Sequence, residues 1–261
     1  MSWSDPLAYP GTDNAVLVNK FGERDADALR TIEYAAANAR LLEVLDKPIP
    51  GQYDLDHLKA FHQHLLQDVY EWAGRTREEV YRDVGIVNFG KGGTSFVSQD
   101  EIASTSKYLF DHLSRENHLK GLDRETFVSR LTQYYVGLNK IHPFREGNGR
   151  ATQAFLGQLA NEAGYQIDYS RVSKERWNEA ARLSARNDTS QMRAVFSDLV
   201  SPIATLKRTQ DGQFQGVADR AKDTLSKAAE LPPLVAAKQQ KQYQPQQPST
   251  PTAQNKKGYS R

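Results

Sequence analysis

The sequence predicts a mostly α-helical protein with one small β-hairpin and a disordered C-terminal tail. Three observations lead there. Apolar residues recur at helical spacing over most of residues 27–200. A single stretch, 75–97, combines β-formers with punctuating glycines. From Leu231 to Arg261 the chain holds seven Gln and five Pro in 31 residues, too little apolar surface to offset the entropy of ordering.

The first 25 residues mix Pro, Gly, Asp and Asn and read as an extended arm. A helix follows over Asp27–Asp46, with Leu29, Ile32, Ala36, Leu41 and Leu45 as its apolar stripe. Lys47-Pro48-Ile49-Pro50-Gly51 ends it. Asp54 opens a second helix, with Leu58, Phe61, Leu65 and Val69 on one face, running to about Trp72 and stopping at Gly74. Val80, Tyr81, Val84, Ile86, Val87, Phe89 and Phe96, broken by Gly85, Gly90, Gly92 and Gly93, suit a hairpin with a glycine-rich turn, the one convincing β segment. Ser98–Asn117 returns to helical spacing. Asp123 reads as the N-cap of a helix carrying Phe127, Leu131, Tyr134 and Leu138. That helix must stop near Ile141, because Pro143 disfavours helical geometry at the residue before it. A helix with Phe155, Leu156 and Leu159 follows a short polar loop, and two more fit 172–187 and 189–200. Residues 211–230 suit a short helix. The division expected is a domain over 1–202 and an appendage over 203–261.

The composition excludes several classes of function. With no Cys among 261 residues there is no disulfide scaffold, thiolate metal site or cysteine nucleophile. The net charge of +2 hides an asymmetry: residues 1–230 carry 29 basic and 32 acidic side chains, and 231–261 carry five basic and none acidic. The first residues have neither a basic n-region nor an apolar h-region, and no run approaches the ~18 apolar residues of a membrane span. The expectation is a cytoplasmic protein without membrane contact, with export by a route that reads another signal left open. Five charges over 31 residues, with Tyr243 and Tyr259 as the interleaved aromatics, are too sparse to predict nucleic-acid binding; a solvated linker is the plainer reading.

The chemistry concentrates in Ile141-His142-Pro143-Phe144-Arg145-Glu146-Gly147-Asn148-Gly149-Arg150. A helix ends, the chain turns, and a second helix starts near Arg150. Gly147 and Gly149 flank Asn148, so the backbone can adopt turns closed to other residues and present successive N–H groups at the positive end of the next helix. Arg150 adds a guanidinium fork suited to phosphate. Glu146 is a carboxylate placed to hold Mg²⁺ beside phosphates. His142 is a base that titrates near neutral pH. Phe144 reads as the peg that pins the loop to the core. These residues suggest transfer chemistry on a nucleotide phosphate. A polar helix–helix turn with a capping glycine is the second reading they leave open.

Two decoys carry less. Gly85–Gly92 nearly spells a phosphate-binding loop, but Gly92 stands where the hydroxyl should be, and a hairpin turn fits better. His62 and His64 diverge by about 200° on a helix and cannot share a metal; they read as solvated or capping histidines.

The ten-residue string resembles the signature of the Fic family, HxFx(D/E)GNGRxxR, at every fixed position from His142 to Arg150. The likeness extends to Trp3-Ser4-Asp5-Pro6 and Val16–Lys20 (an N-terminal arm), to Val69–Gly74 with Arg77, to Lys91–Phe96 (a β-hairpin flap), and to Leu138-Asn139-Lys140. It covers about residues 3–200 and implies a Fic-type helical domain. It further implies a protein adenylyltransferase acting as toxin or effector. In that role His142 deprotonates a hydroxyl of a target protein, and Glu146 holds Mg²⁺. Gly147, Asn148, Gly149 and Arg150 orient the phosphates of ATP, the substrate, with Lys91, Gly92 and Gln153 as further nucleotide contacts. Gly93, Thr94, Ser95 and Phe96 dock the target by strand addition. Gln153 departs from the pattern, which has a second arginine there to touch the terminal phosphate and to pair with an inhibitory glutamate. A neutral amide cannot form that forked pair. No inhibitory [S/T]xxxE[G/N] pattern occurs in the chain, so any inhibitor is expected to be a separate small antitoxin. Some family members are exported through type IV secretion systems, a role open to the basic tail. Two alternatives stand beside this reading. One is transfer of another nucleotide or phosphate moiety, against which Gly149 argues, because the branch transferring a terminal phosphate has Lys there. The other is a binding module whose catalysis has decayed through Gln153.

Overall fold

A computed structural model describes residues 5–12, 16–83, 90–91 and 94–203, with backbone only at 90, 91 and 94. The tail from 204, including the expected helix at 211–230, lies outside the described residues, as do 84–89 and Gly92-Gly93. Eight α-helices are described: α1 (Ala26–Asp46), α2 (Leu55–Leu66), α3 (Arg77–Val80), α4 (Ile102–Arg115), α5 (Arg124–Ile141), α6 (Asn148–Glu162), α7 (Lys174–Ser184) and α8 (Ser190–Leu199). None of them is long and apolar enough to cross a membrane.

Acidic caps start three of the helices, two of them, Asp54 and Asp123, where the sequence places them, and the third, Asp25, just ahead of the start expected at Asp27. Asp25 accepts from the N–H groups of Asp27 and Ala28, Asp54 from His57, and Asp123 from Glu125 and Thr126. The expected stripes of α2, α5 and α6 enter one core: Leu58, Phe61, Leu65, Val69, Phe127, Leu131, Tyr134, Leu138, Phe155, Leu156 and Leu159 are all buried. Each such side chain contributes about 1.5–3 kcal/mol by leaving water. Helices α5 and α6 are the frame of the site, because the chemistry-bearing loop joins the C-terminus of one to the N-terminus of the other.

The structure corrects four expectations. On α1 the buried face is Leu29, Glu33, Ala37 and Val44, and Leu41 and Leu45 face solvent. The true stripe includes a charge, which a hydrophobic pattern passes over. Helix α2 ends at Leu66, short of Trp72. Val69 and Tyr70 both donate to the Leu66 carbonyl, winding the chain into turns, and the Val69 carbonyl accepts from Lys20 of the N-terminal arm. Val80 and Tyr81 lie in α3 and at its C-cap, because Thr76 and Glu79 close a capping box that starts a helix. The expected hairpin is present as β1 (Gly90–Lys91) paired with β2 (Thr94–Ser95), but it is not the one β segment: β3 (Tyr165–Ile167) pairs antiparallel with β4 (Val200–Pro202), Gln166 opposite Ser201. Three residues are too few for alternation to show in the sequence.

Candidate active site

The loop between α5 and α6 is built by consuming its own carbonyls. His142 caps α5 in the left-handed region (φ 48°, ψ 60°), its N–H donating to the Leu138 carbonyl at 2.9 Å. Arg77 Nη2 donates to the Ile141 carbonyl and Arg77 Nε to that of His142, while the Arg77 N–H donates to the Pro143 carbonyl at 2.6 Å. Asn148 then bridges the turn, its Nδ2 donating to the Phe144 carbonyl and its Oδ1 accepting from the Phe144 N–H. The Glu146 carbonyl accepts from His62 at 2.9 Å. With the oxygens turned inward, amide nitrogens of the first turn of α6 are left to face the other way. The N–H groups of Asn148, Gly149 and Arg150 have no partner in the helix ladder by its geometry, and the helix dipole adds positive charge there.

Arg150 stands in that turn. One Nη2 contact is an ion pair with Glu33 of α1, and Glu146 Oε1 lies 3.7 Å from the same nitrogen. Nη1 is buried with no hydrogen-bond partner among the described residues. Glu33 is itself buried, and its second oxygen accepts from the Tyr70 hydroxyl. Burial and the Glu33 carboxylate push the Tyr70 hydroxyl above its ordinary range, so it stays a donor. A cavity of about 770 Å³ opens here, lined by Glu33, Tyr34, Glu146, Gly147, Gly149, Arg150, Gln153, Tyr169, Lys174, Trp177 and Asn178 among others. That volume suits a nucleotide-sized ligand.

The structure thus brings Glu146, Gly147, Gly149, Arg150 and Gln153 to one cavity. The Asn148 side chain is spent on Phe144, so what it can offer a ligand is its N–H. Phe144 is the peg expected, 1% exposed and stacked on His62 with centroids 3.8 Å apart. Phe96 lies on the His142 ring, centroids 3.7 Å apart and planes within 2°. Lys91 pairs with Thr94 in the hairpin, and Ser95 pairs with Gly90; the Lys91 side chain, Gly92 and Gly93 lie outside the described residues. No group of three or more His, Asp or Glu side chains among the described residues is arranged to hold a metal ion. Glu146 offers one carboxylate, about half exposed, its Oε1 accepting from the Gly147 N–H at 3.0 Å. One or two carboxylates completed by phosphate oxygens are the donor set Mg²⁺ usually takes, so the residue fits that ion.

The sequence argument missed Glu33 and Tyr70 and misread His62. His62 is fully buried between Trp72 and Phe144, not solvated. Its Nδ1 accepts from the Gly74 N–H at 2.8 Å, so Nε2 carries the proton and donates to the Glu146 carbonyl. Burial pushes it down to about 4 from the 6.5 of an exposed imidazole. The unfolded chain therefore binds a proton that the folded chain refuses between those values, so stability is lost as the pH is lowered through that window and regained as it rises. The difference is worth about 3 kcal/mol when fully expressed. NMR titration is expected to find the His62 imidazole neutral in the folded protein down to pH 5; a midpoint near 6.5 would contradict the burial.

Residues 52–160 match the family model described as the Fic/DOC family. The chain is 36% identical over 217 residues to the protein adenylyltransferase VbhT of Bartonella schoenbuchensis, covering 83% of this chain and 43% of that protein. It is 34% identical over 197 residues to the probable protein adenylyltransferase Fic of Escherichia coli, covering 76% of this chain and 92% of that one. Among solved structures, the BepC protein of Bartonella tribocorum, a VirB-translocated effector with bound AMPPNP, superposes with a TM-score of 0.69 at 26% identity, over 76% of this chain and 97% of that chain.

Proposed function

The chain belongs to the Fic/DOC family, and from that premise we propose that it is a protein adenylyltransferase, moving AMP from ATP to a hydroxyl side chain of a target protein. The observation that carries the reading is Arg150 Nη1, a buried guanidinium nitrogen without a partner among the described residues, beside the free amides of the first turn of α6. An unpaired buried donor is costly; a phosphate oxygen relieves it. The likeness to VbhT, a protein adenylyltransferase, and to the Escherichia coli relative, a probable one, supports transfer of a nucleotidyl group.

On this reading His142 takes the proton from a Tyr, Thr or Ser hydroxyl. The freed oxygen attacks the α-phosphorus, the bond from that phosphorus to the bridging oxygen breaks, and pyrophosphate leaves. The Asn148, Gly149 and Arg150 N–H groups and Arg150 Nη1 hold phosphate oxygens, with rate coming from positioning and fixed charge. Glu146 holds Mg²⁺, which when bound neutralises phosphate charge. Trp177 and Tyr169, in the same cavity, offer apolar faces to the base. Gln153 gives that cavity a neutral amide where the family signature has a second cation, which weakens the hold on a terminal phosphate. The domain spans 1–202, the basic segment from 203 is an appendage, and the partners are the target and a small inhibitory antitoxin. An exported effector role is supported by the likeness to BepC, a VirB-translocated effector, and this chain spans under half of VbhT.

The test is incubation with ATP labelled at either the α- or the γ-phosphate, with candidate lysates. Covalent retention of the α-label and release of the γ-label as pyrophosphate is the expected result. Retention of the γ-label would instead mean transfer of the terminal phosphate.

A further inference from the structure

Three backbone carbonyls meet at one buried side chain at the stem of the flap. Arg77, at the start of α3, is 0% exposed. Its Nε donates to the His142 carbonyl at 2.8 Å, and its Nη2 to the carbonyls of Ile141 at 3.1 Å and Val97 at 2.8 Å. Ile141 and His142 are the last residue of α5 and its left-handed cap, where backbone oxygens have lost the helix ladder. Val97 is the second residue after β2, and its N–H donates to the Lys140 carbonyl at 3.0 Å. The flap stem is thereby stitched to the end of α5 by two bonds through one residue. The residue between, Phe96, lays its ring flat on the His142 imidazole. Burial holds the Arg77 guanidinium down to about 10, still far above neutrality, so it remains a full cation and a fixed set of donors.

We propose that Arg77 and Phe96 are positioning residues for His142, and that through them the flap stem sets the orientation of the imidazole. This rests on the transferase reading, in which His142 is the base. The guanidinium fixes the backbone on both sides of the His142 Cα, leaving the ring two torsions, and the Phe96 face restricts those. The fork cannot hold the His142 and Val97 carbonyls together unless the stem is seated. A target strand that adds to the flap edge pulls on the stem, so target docking is read at the base. Arg150 and the first turn of α6 take no part in these contacts, so nucleotide binding is outside the coupling.

Two variants test this: Arg77→Lys, which keeps the charge and loses the fork, and Phe96→Leu, which leaves every Arg77 bond in place. For each, three quantities are measured: ATP affinity by calorimetry, the rate of α-label transfer at saturating ATP, and the NMR shift of the His142 ring protons. The expected result for either variant is a transfer rate lowered about 10-fold or more with an ATP dissociation constant within two-fold of the wild type, and for Arg77→Lys, which keeps the Phe96 ring, also loss of the ring-current shift that Phe96 imposes on His142. A wild-type rate at saturating ATP in a folded variant, or a loss explained wholly by weaker ATP binding, would overturn the proposal. If Arg77→Lys fails to fold, Phe96→Leu decides alone. A wild type that transfers no α-label defeats the transferase reading instead, and the imidazole shift still judges the positioning.

Discussion

Replacing His142 with alanine is expected to lower α-label transfer by about 10²–10⁴-fold, the usual worth of a general base, with ATP affinity within two-fold of the wild type. The separation of the two effects follows from how the residue is held. Its left-handed backbone is fixed by its N–H on the Leu138 carbonyl and by Arg77 on its own carbonyl, and neither bond uses the ring. Alanine and histidine both carry a Cβ, so the strain of that conformation is nearly unchanged. The stacking on Phe96 is lost as well, worth about 0.5–1.5 kcal/mol, a small part of the stability of an ordinary domain. The groups proposed to hold phosphate stand on α6, at the far end of a loop tied down independently by His62 and Asn148. Calorimetry and label transfer on the same preparation check both halves. Undiminished labelling would remove His142 from the chemistry, and an equal loss of ATP affinity would show that the ring supports the phosphate site.

The parts of this site that could be read from the sequence are those contiguous in it. His142, Glu146, the two glycines and Arg150 fall within nine residues, and Pro143 marks the end of α5 by local sterics alone. What could not be read arrives from elsewhere in the chain. Glu33 meets Arg150 across 117 residues, His62 meets Glu146 across 84, and Arg77 meets His142 across 65. Each is a polar residue buried because a distant partner satisfies it, whereas a hydrophobic pattern assigns polar residues to solvent. Helix α1 shows the consequence. Leu29, Glu33, Ala37 and Val44 keep helical spacing as well as the stripe expected, and the difference is only whether a glutamate is allowed inside. The expectation chose five apolar residues; the fold chose the face whose charge has Arg150 and Tyr70 to meet it, leaving Leu41 and Leu45 in water. From the spacing of His62 and His64 alone, the burial of His62 was not visible.

The two motif glycines are expected to fail in opposite ways when replaced by alanine. Gly147 sits at φ 79°, a left-handed conformation, and a Cβ there would lie 2.3 Å from Leu66 Cδ1 and 3.3 Å from His62 Nε2. Leu66 and His62 are both fully buried, and His62 holds the loop by its bond to the Glu146 carbonyl, so neither can give way cheaply. The left-handed strain costs about 1–2 kcal/mol and the overpacking about 1–3 more. The sum is a large part of the 5–15 kcal/mol that ordinarily separates folded from unfolded chains. Gly147→Ala should therefore lower the denaturant midpoint sharply and lose ATP binding with it. Gly149 is different. It lies inside the first turn of α6, and a Cβ there would meet no atom of the described residues within 4 Å outside the helix's own backbone. Helix propensity alone favours alanine over glycine by up to about 1 kcal/mol, so Gly149→Ala should fold as well as the wild type or better. Nothing in the packing among the described residues asks for a glycine at 149, whereas a phosphate brought against the α6 amides does, because it needs the backbone bare. The expected result is normal or raised stability with ATP affinity lowered about 10-fold or more. If Gly149→Ala binds ATP as the wild type does, the phosphates do not lie on the first turn of α6, and the Arg150 Nη1 donor would need another anion to explain it.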